Sequence, residues 1–147
     1  MYKKILVATD GSPLSKKAVA AAVGLAASLG AQLIALKVTP RYPMSYFEGA
    51  VTLAPAEIAR IEGQWTSEAQ AVVDAICASA QKKGVEAKGV LVKSDLVAES
   101  VLAAAKKHQC DLIVMASHGR KGIKRILMGS ETHHVLTHSS IPVLVLR

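Results

Sequence analysis

Short apolar runs alternate with amphipathic helical segments along the whole chain, and this alternation most limits the folds that the sequence can adopt. The predicted strands span 3–8, 32–38, 85–92, 111–116 and 142–147, and the predicted helices span 15–29, 55–84, 96–108 and 130–137. The central runs are continuously apolar, which is typical of parallel strands covered by helices on both faces. The sequence therefore predicts a single doubly wound α/β domain over residues 1–147, with a five-stranded parallel sheet in the order 3-2-1-4-5.

The positive charge of the chain suggests a nucleic-acid partner, but its distribution argues against one. The chain has 18 Lys and Arg residues against 11 Asp and Glu residues, a formal net charge of +7. Most basic residues stand near predicted element ends. They are not interleaved with aromatic residues, which proteins that bind single-stranded nucleic acid use to stack on the bases. No apolar run approaches the roughly 20 residues of a membrane span. We therefore expect a cytoplasmic protein that binds neither nucleic acid nor membrane.

The two cysteines, Cys77 and Cys110, lack the Cys-x-x-Cys spacing of redox and zinc motifs. Cys77 lies in a predicted helix, and Cys110 lies just before a predicted strand. We expect two buried thiols rather than a disulfide or a metal site.

The segment "MASHGRKGIKRILMGSETHH", residues 115–134, joins the fourth predicted strand to the fourth predicted helix. Gly119 permits backbone conformations closed to other residues, and we expect Gly129 to let the main chain approach a ligand closely. Ser130 is predicted to cap the helix, whose free N–H groups and positive dipole end form an anion site. The basic residues between the glycines are expected to point outward from a short helical turn at 123–127. The same spacing also fits an ordinary crossover loop with a normal N-cap, so it leaves both interpretations open.

A resemblance decides between these interpretations. The segments "ATDGS", "ALKVTP", "DLIVMASHGRKG", "LMGSETHHVL" and "SSIPVLVLR" follow one another along the chain, which resembles the universal stress protein family over its whole length. Nucleotide-binding members of that family carry Gly-x2-Gly-x9-Gly-Ser/Thr, and Gly119, Gly129 and Ser130 match its last three fixed positions. Ala116 stands at the first glycine position. Because Ala116 ends a β-run, we expect ordinary strand-like dihedral angles there and retained nucleotide binding.

The resemblance implies a site for ATP, ADP or AMP at the loops after the first and fourth strands. The residues that it implies for nucleotide contact are Ala8, Thr9, Asp10, Val38, Met115, Ala116, His118, Gly119, Arg120, Gly129, Ser130, Glu131 and Thr132. Asp10 would either meet a magnesium ion bound to the nucleotide or accept hydrogen bonds from ribose hydroxyls. A third interpretation, in which Asp10 only caps the turn before the first helix, also stays open.

The resemblance further implies a regulatory stress-response protein that holds its nucleotide without efficient turnover. A slow ATPase or nucleotidyl transferase is an alternative, but no residue that orients a nucleophile can be assigned from the sequence. A second alternative is a protein-interaction module that has lost nucleotide binding. The replacement of the first motif glycine by Ala116 favours this alternative. The apolar last strand, 143–146, lies at a predicted sheet edge, so we expect a homodimer through this strand. The resemblance points to antiparallel pairing with its symmetry mate.

Overall fold

The computed structural model describes residues 1–43, 54–119 and 128–147. Strands and helices alternate within these ranges, as the sequence predicts. The strands are β1 (Lys4–Thr9), β2 (Gln32–Thr39), β3 (Ala87–Lys93), β4 (Leu112–Ala116) and β5 (Val143–Leu146). The helices are α1 (Pro13–Leu29), α2 (Pro55–Lys82), α3 (Val97–Lys107) and α4 (Ser130–His138).

The five strands form one sheet in the order β3-β2-β1-β4-β5, and every neighbouring pair is parallel. The predicted fold class and strand order are thus confirmed. Two elements start two residues away from their predicted first residue. α1 begins at Pro13 because Ser12 is its N-cap and accepts a hydrogen bond from the Ser15 amide. β3 begins at Ala87 because the amide of Val85 still bonds the end of α2, at Ala80 O.

Helices cover both faces of the sheet, so the central strands are buried on each side. Ile5 and Val7 of β1 belong to the apolar cluster under α1 and α2, whereas Leu6 belongs to the cluster under α3 and α4. All three side chains are 0% exposed. This two-sided burial explains why the central strands are continuously apolar in sequence. In the ranges described here, no helix combines the length and the apolar character needed to cross a bilayer.

The order of winding reverses between β1 and β4. β1 pairs with β2 on one side and with β4 on the other, with Val7 opposite Val114. Because the strands are parallel, the loops that follow β1 and β4 leave from the same edge of the sheet. Such an edge is where open α/β sheets bind ligands. The fold therefore places the two predicted site loops side by side.

The packing of α2 on β3 depends on a glycine. A Cβ atom at Gly89 would lie 2.9 Å from Cγ2 and 3.1 Å from Cβ of Val73, which is fully buried on α2. Val73 is β-branched and closely packed, so its side chain cannot rotate away from a new methyl group at position 89. The new methyl group would therefore displace α2. Gly89 therefore sets how closely α2 approaches the sheet.

We predict that Gly89→Ala lowers the free energy of unfolding by about 1–3 kcal/mol, the usual cost of overpacking a core. Urea denaturation monitored by circular dichroism measures this change. Gly63→Ala is the control, because Gly63 lies within α2 and a Cβ there meets no atom within 4 Å. This control should gain about 0.5–1 kcal/mol, since alanine favours a helix interior. Equal stability of Gly89→Ala and the native protein would show that Val73 can move aside.

Candidate functional site

The loops after β1 and β4 meet at the carboxyl edge of the sheet. A Cβ atom at Gly119 would collide with Oδ2 of Asp10. The carboxylate of one loop therefore occupies the space that a side chain of the other would need. The structure brings together two residues that lie more than a hundred positions apart in the sequence and that were both predicted for the site.

Glycine permits backbone conformations closed to other residues, but position 119 does not have a left-handed φ angle. The described glycines with a left-handed φ angle are Gly11, Gly30 and Gly84. At position 119 the nearby Asp10 carboxylate favours glycine, a contact between two loops that single-residue conformational preferences do not reveal.

Asp10 is held by the turn that joins β1 to α1. Its Oδ1 accepts a hydrogen bond from the Ser12 amide at 2.9 Å, an Asx turn of the kind that aspartate favours. The preceding residue supports the same turn, because Thr9 Oγ1 accepts a hydrogen bond from the Gly11 amide at 3.2 Å and lies 3.1 Å from Ser15 Oγ. Asp10 thus does stabilise the turn. It also places Oδ2 against the second loop. A role of Asp10 in the turn is therefore compatible with contact between its carboxylate and a ligand.

The loop after β4 leaves the sheet and returns to the same point. The Ser117 amide donates to Leu146 O, and the Gly129 amide donates to Ser117 O, both at 2.7 Å. The main chain of one residue, Ser117, therefore ties the end of β5 to the start of α4. We did not single out Ser117 as a site residue from the sequence. No side-chain signal could have identified it, because these bonds involve only the main chain.

The first turn of α4 lies at this edge of the sheet. Among the described residues, it has no side-chain cap. The N-cap is Gly129, with φ −60° and ψ 150°, and no side-chain hydrogen bond to the first turn is present in the described part of the chain. The prediction that Ser130 caps the helix is wrong, because Ser130 is already the first helical residue. Amide groups in an uncapped first turn are suited to bind an anion.

Two side chains dock the first turn of α4 on its neighbours. Thr132, 3% exposed, donates through Oγ1 to Ala116 O at 2.8 Å. Glu131 Oε2 accepts a hydrogen bond from the Ala98 amide at 2.8 Å, at the start of α3. α3 has no side-chain cap of its own at Leu96, so the carboxylate of Glu131 satisfies an amide there. Both side chains position α4, and their contact with a nucleotide remains a prediction.

Three of the residues implied for nucleotide contact share one face of the sheet. Ala8 of β1, Val38 of β2 and Met115 of β4 all belong to the cluster on the α3 and α4 side. Met115 is buried, whereas Ala8 and Val38 are partly exposed. An apolar patch that remains partly open at the carboxyl edge is suited to the flat face of a base.

Ala116, which replaces the first glycine of the motif, is the last residue of β4 and pairs with Leu146. Its φ angle is not positive, since Gln109 is the non-glycine residue with positive φ in the described ranges. The methyl group therefore causes no backbone strain. The expectation of ordinary strand-like dihedral angles at this position is confirmed.

The remaining loop residues are only partly described. His118 is partly buried, and its Nδ1 lies 3.2 Å from Ser117 Oγ. Arg120 and the predicted helical turn at 123–127 lie outside the described residues.

Neither cysteine lies at this edge, and both are free thiols. Burial raises the pKa of the Cys110 thiol to about 11. Burial, followed by the nearby Asp74 carboxylate, raises the pKa of the Cys77 thiol. Cys110 is buried as expected, whereas Cys77 is only partly buried. In the ranges that the structure covers, no three His, Cys, Asp or Glu side chains are grouped so that they could hold a metal ion.

The fold and the site together define an open α/β protein with an uncapped helix amino terminus at the point where its winding reverses. The family model described as the universal stress protein family matches residues 1–147. The chain belongs to the universal stress protein family.

Individual relatives agree with this assignment along nearly the whole chain. Universal stress protein YxiE of Bacillus subtilis (strain 168) is 34% identical over 149 residues, which cover 100% of both chains. The solved structure of the hypothetical protein MJ0577 from Methanocaldococcus jannaschii has a TM-score of 0.83 at 28% identity, covering 99% of this chain and 96% of that one. A universal stress protein solved in complex with cAMP has a TM-score of 0.70 at 26% identity, covering 99% of this chain and 97% of that one.

Proposed function

We propose that this chain binds ATP, ADP or AMP at the carboxyl edge of its sheet and acts as a regulatory stress-response protein without efficient turnover. The observation that carries the proposal is the meeting of Asp10, Gly119 and the uncapped amino terminus of α4 at one point. The cAMP complex of a 26% identical family member supports an adenine nucleotide as the ligand.

Each part of the nucleotide has a matching group in this arrangement. The phosphates would lie at the first-turn amides of α4, where the helix dipole favours negative charge. The adenine would lie on Ala8, Val38 and Met115. The carboxylate of Asp10 would face either the ribose hydroxyls or a magnesium ion held by the phosphates. Both positions suit a carboxylate that the Ser12 amide already orients.

Holding a nucleotide without turnover follows from what phosphoryl transfer requires. Such transfer needs a cationic clamp on the phosphates and a group that orients the attacking nucleophile. At the start of α4, two polar side chains are already engaged, Thr132 with Ala116 O and Glu131 with the Ala98 amide. A binding role therefore requires fewer groups than an ATPase or a nucleotidyl transferase.

We also propose that two copies pair through β5. This strand lies at the edge of the sheet, next to β4 alone, and Leu144 on it is 39% exposed. An edge strand with unpaired main-chain groups and apolar side chains favours pairing with another strand. Two-fold symmetry would place β5 antiparallel to its copy and close the edge.

We predict that Gly129→Val abolishes AMP binding while the fold is retained, with titration calorimetry as the measurement. The φ and ψ angles at Gly129 are allowed for valine, and a Cβ there would lie 3.4 Å from Ser117 O, an ordinary contact. The two additional methyl groups would fill space beside the amides that receive the phosphate. Gly129→Ala is the matched control with the smaller side chain.

Ala116→Gly tests whether the missing motif glycine has inactivated the site. We expect AMP affinity equal to or modestly above that of the native chain, by at most about 1 kcal/mol, because the change only removes a methyl group and loosens the free loop. If the native protein binds no adenine nucleotide at millimolar concentration and Ala116→Gly binds, the interaction-module alternative replaces our proposal.

Asp10→Ala should weaken nucleotide binding, and comparison of two ligands identifies the role of the carboxylate. A loss mainly for ATP with magnesium indicates the metal, whereas a comparable loss for AMP indicates the ribose. Asp10→Asn is the matched control, because an amide oxygen can still accept from the Ser12 amide without the charge. Unchanged affinity of Asp10→Ala for both ligands would reduce Asp10 to its structural role in the turn.

The proposed dimer predicts twice the chain mass in light scattering at micromolar concentration. Leu144→Asp should shift the protein to the monomer, because a charge at the centre of a paired strand would lose its water. A native protein that is monomeric at this concentration would contradict pairing through β5.

A further inference from the structure

A separate cavity lies at the opposite edge of the sheet from the nucleotide loops. It has a volume of about 390 Å³ and opens between the C-terminal turns of α3 and α4. It adjoins the residues that precede β4 and β5, and the length of β4 separates it from Ala116. This volume is within the range of about 300–1,000 Å³ that small-molecule sites occupy.

The floor of the cavity is apolar. Leu102 and Ala105 of α3, Ile113 of β4 and Ile141 form most of it. Cys110 completes the wall as a neutral group, because burial keeps its thiol protonated at neutral pH. Such a floor is suited to a compact hydrocarbon or aromatic body.

The rim of the cavity is polar and carries positive charge. Lys106, Gln109, His138 and Ser140 line it, and no acidic residue is among the described residues that line the cavity. The neighbouring hydroxyl of Ser139 is already engaged, since it donates to Ile141 O at 2.7 Å. The ammonium group of Lys106 and the amide of Gln109 are therefore the principal polar groups for a ligand.

The backbone at the rim is unusual. Gln109 has a φ angle of 56°, the left-handed region in which glycine avoids a steric cost. The amides of Gln109 and Cys110 donate to Lys106 O and Ala105 O, at 3.1 Å and 2.8 Å. These bonds satisfy carbonyl groups that would otherwise repel an anion at a helix C-terminus. These bonds end α3 at a left-handed residue and leave the side chain of Gln109 at the cavity.

We propose that this cavity binds a small carboxylic acid with a compact apolar body. The body lies on the floor formed by Leu102, Ile113 and Ile141, and the carboxylate meets Lys106 and Gln109. This site does not depend on the proposed nucleotide site, because the two lie at opposite ends of β4.

Phenylacetate and 2-phenylethanol are suitable probes, because they share an aromatic body and differ in the charged group. We expect phenylacetate to give saturable shifts of the amide NMR resonances of residues 109–113 and 139–141. 2-Phenylethanol should bind about tenfold more weakly or worse, as expected for loss of a charged hydrogen bond. Absence of saturable shifts with phenylacetate up to about 10 mM, the range of weak affinities, would overturn the proposal.

Two lysine variants identify the charged group. Lys106→Met should weaken phenylacetate binding to the level of 2-phenylethanol. Lys107→Met makes the same change in net charge at a residue that does not line the cavity, so it should leave phenylacetate affinity unchanged. An equal loss in both variants, or equal affinity of the native protein for the two probes, would overturn the assigned recognition of a carboxylate.

A third variant tests the location by filling the cavity. Leu102 is only partly buried, and Leu102→Trp should abolish phenylacetate binding while AMP titration at the other edge is unchanged. Retained phenylacetate binding in this variant would place the probe elsewhere and contradict the proposal. Loss of both ligands would indicate that Leu102→Trp misfolds. The comparison of Lys106→Met with Lys107→Met then decides whether the cavity binds phenylacetate.

Discussion

The pairing of β1 with β4 is the contact on which the rest of the structure depends. Ile5, Leu6 and Val7 lie opposite Leu112, Ile113 and Val114, more than a hundred positions later in the chain. Five of these six side chains are 0% exposed, and Leu112 is 3% exposed. Removal of this much apolar surface from water, together with satisfied main-chain hydrogen bonds, is what makes so distant a pairing favourable. Every feature of the candidate site follows from where these two strands end.

Because the two strands are parallel, their following loops meet at one edge, and each restricts the other. Asp10 takes the space that a side chain at 119 would fill, and the turn after β1 fixes the direction of that carboxylate. The main-chain N–H and C=O groups of Ser117 then join β5 to the start of α4. The site is therefore built largely from main-chain groups held by the sheet. Its ligand specificity depends on how these groups are placed more than on reactive side chains.

The two edges of the sheet have different chemistry. The carboxyl edge presents amide N–H groups at the start of α4, and the amino edge presents the ends of α3 and α4 above an apolar floor. The basic residues Lys106 and Lys107 lie in the last turn of α3, where they balance the negative end of the helix dipole. Part of the positive charge of this chain is thus explained by helix stability.

Much of the fold could be predicted from the chain alone, because continuous apolar runs and helical periodicity are local patterns with a direct physical cause. They determined the element types, the parallel sheet and the edge at which the loops meet. The glycines of the loop after the fourth strand and the family resemblance marked Asp10, Gly119 and Gly129 as candidate site residues. The details of the loops could not be read in this way. Gly119 lies against a carboxylate from another loop, the N-cap of α4 is Gly129 rather than Ser130, and Glu131 and Thr132 dock the helix. Only the tertiary structure decided these points, because each depends on a distance between residues that the sequence leaves far apart.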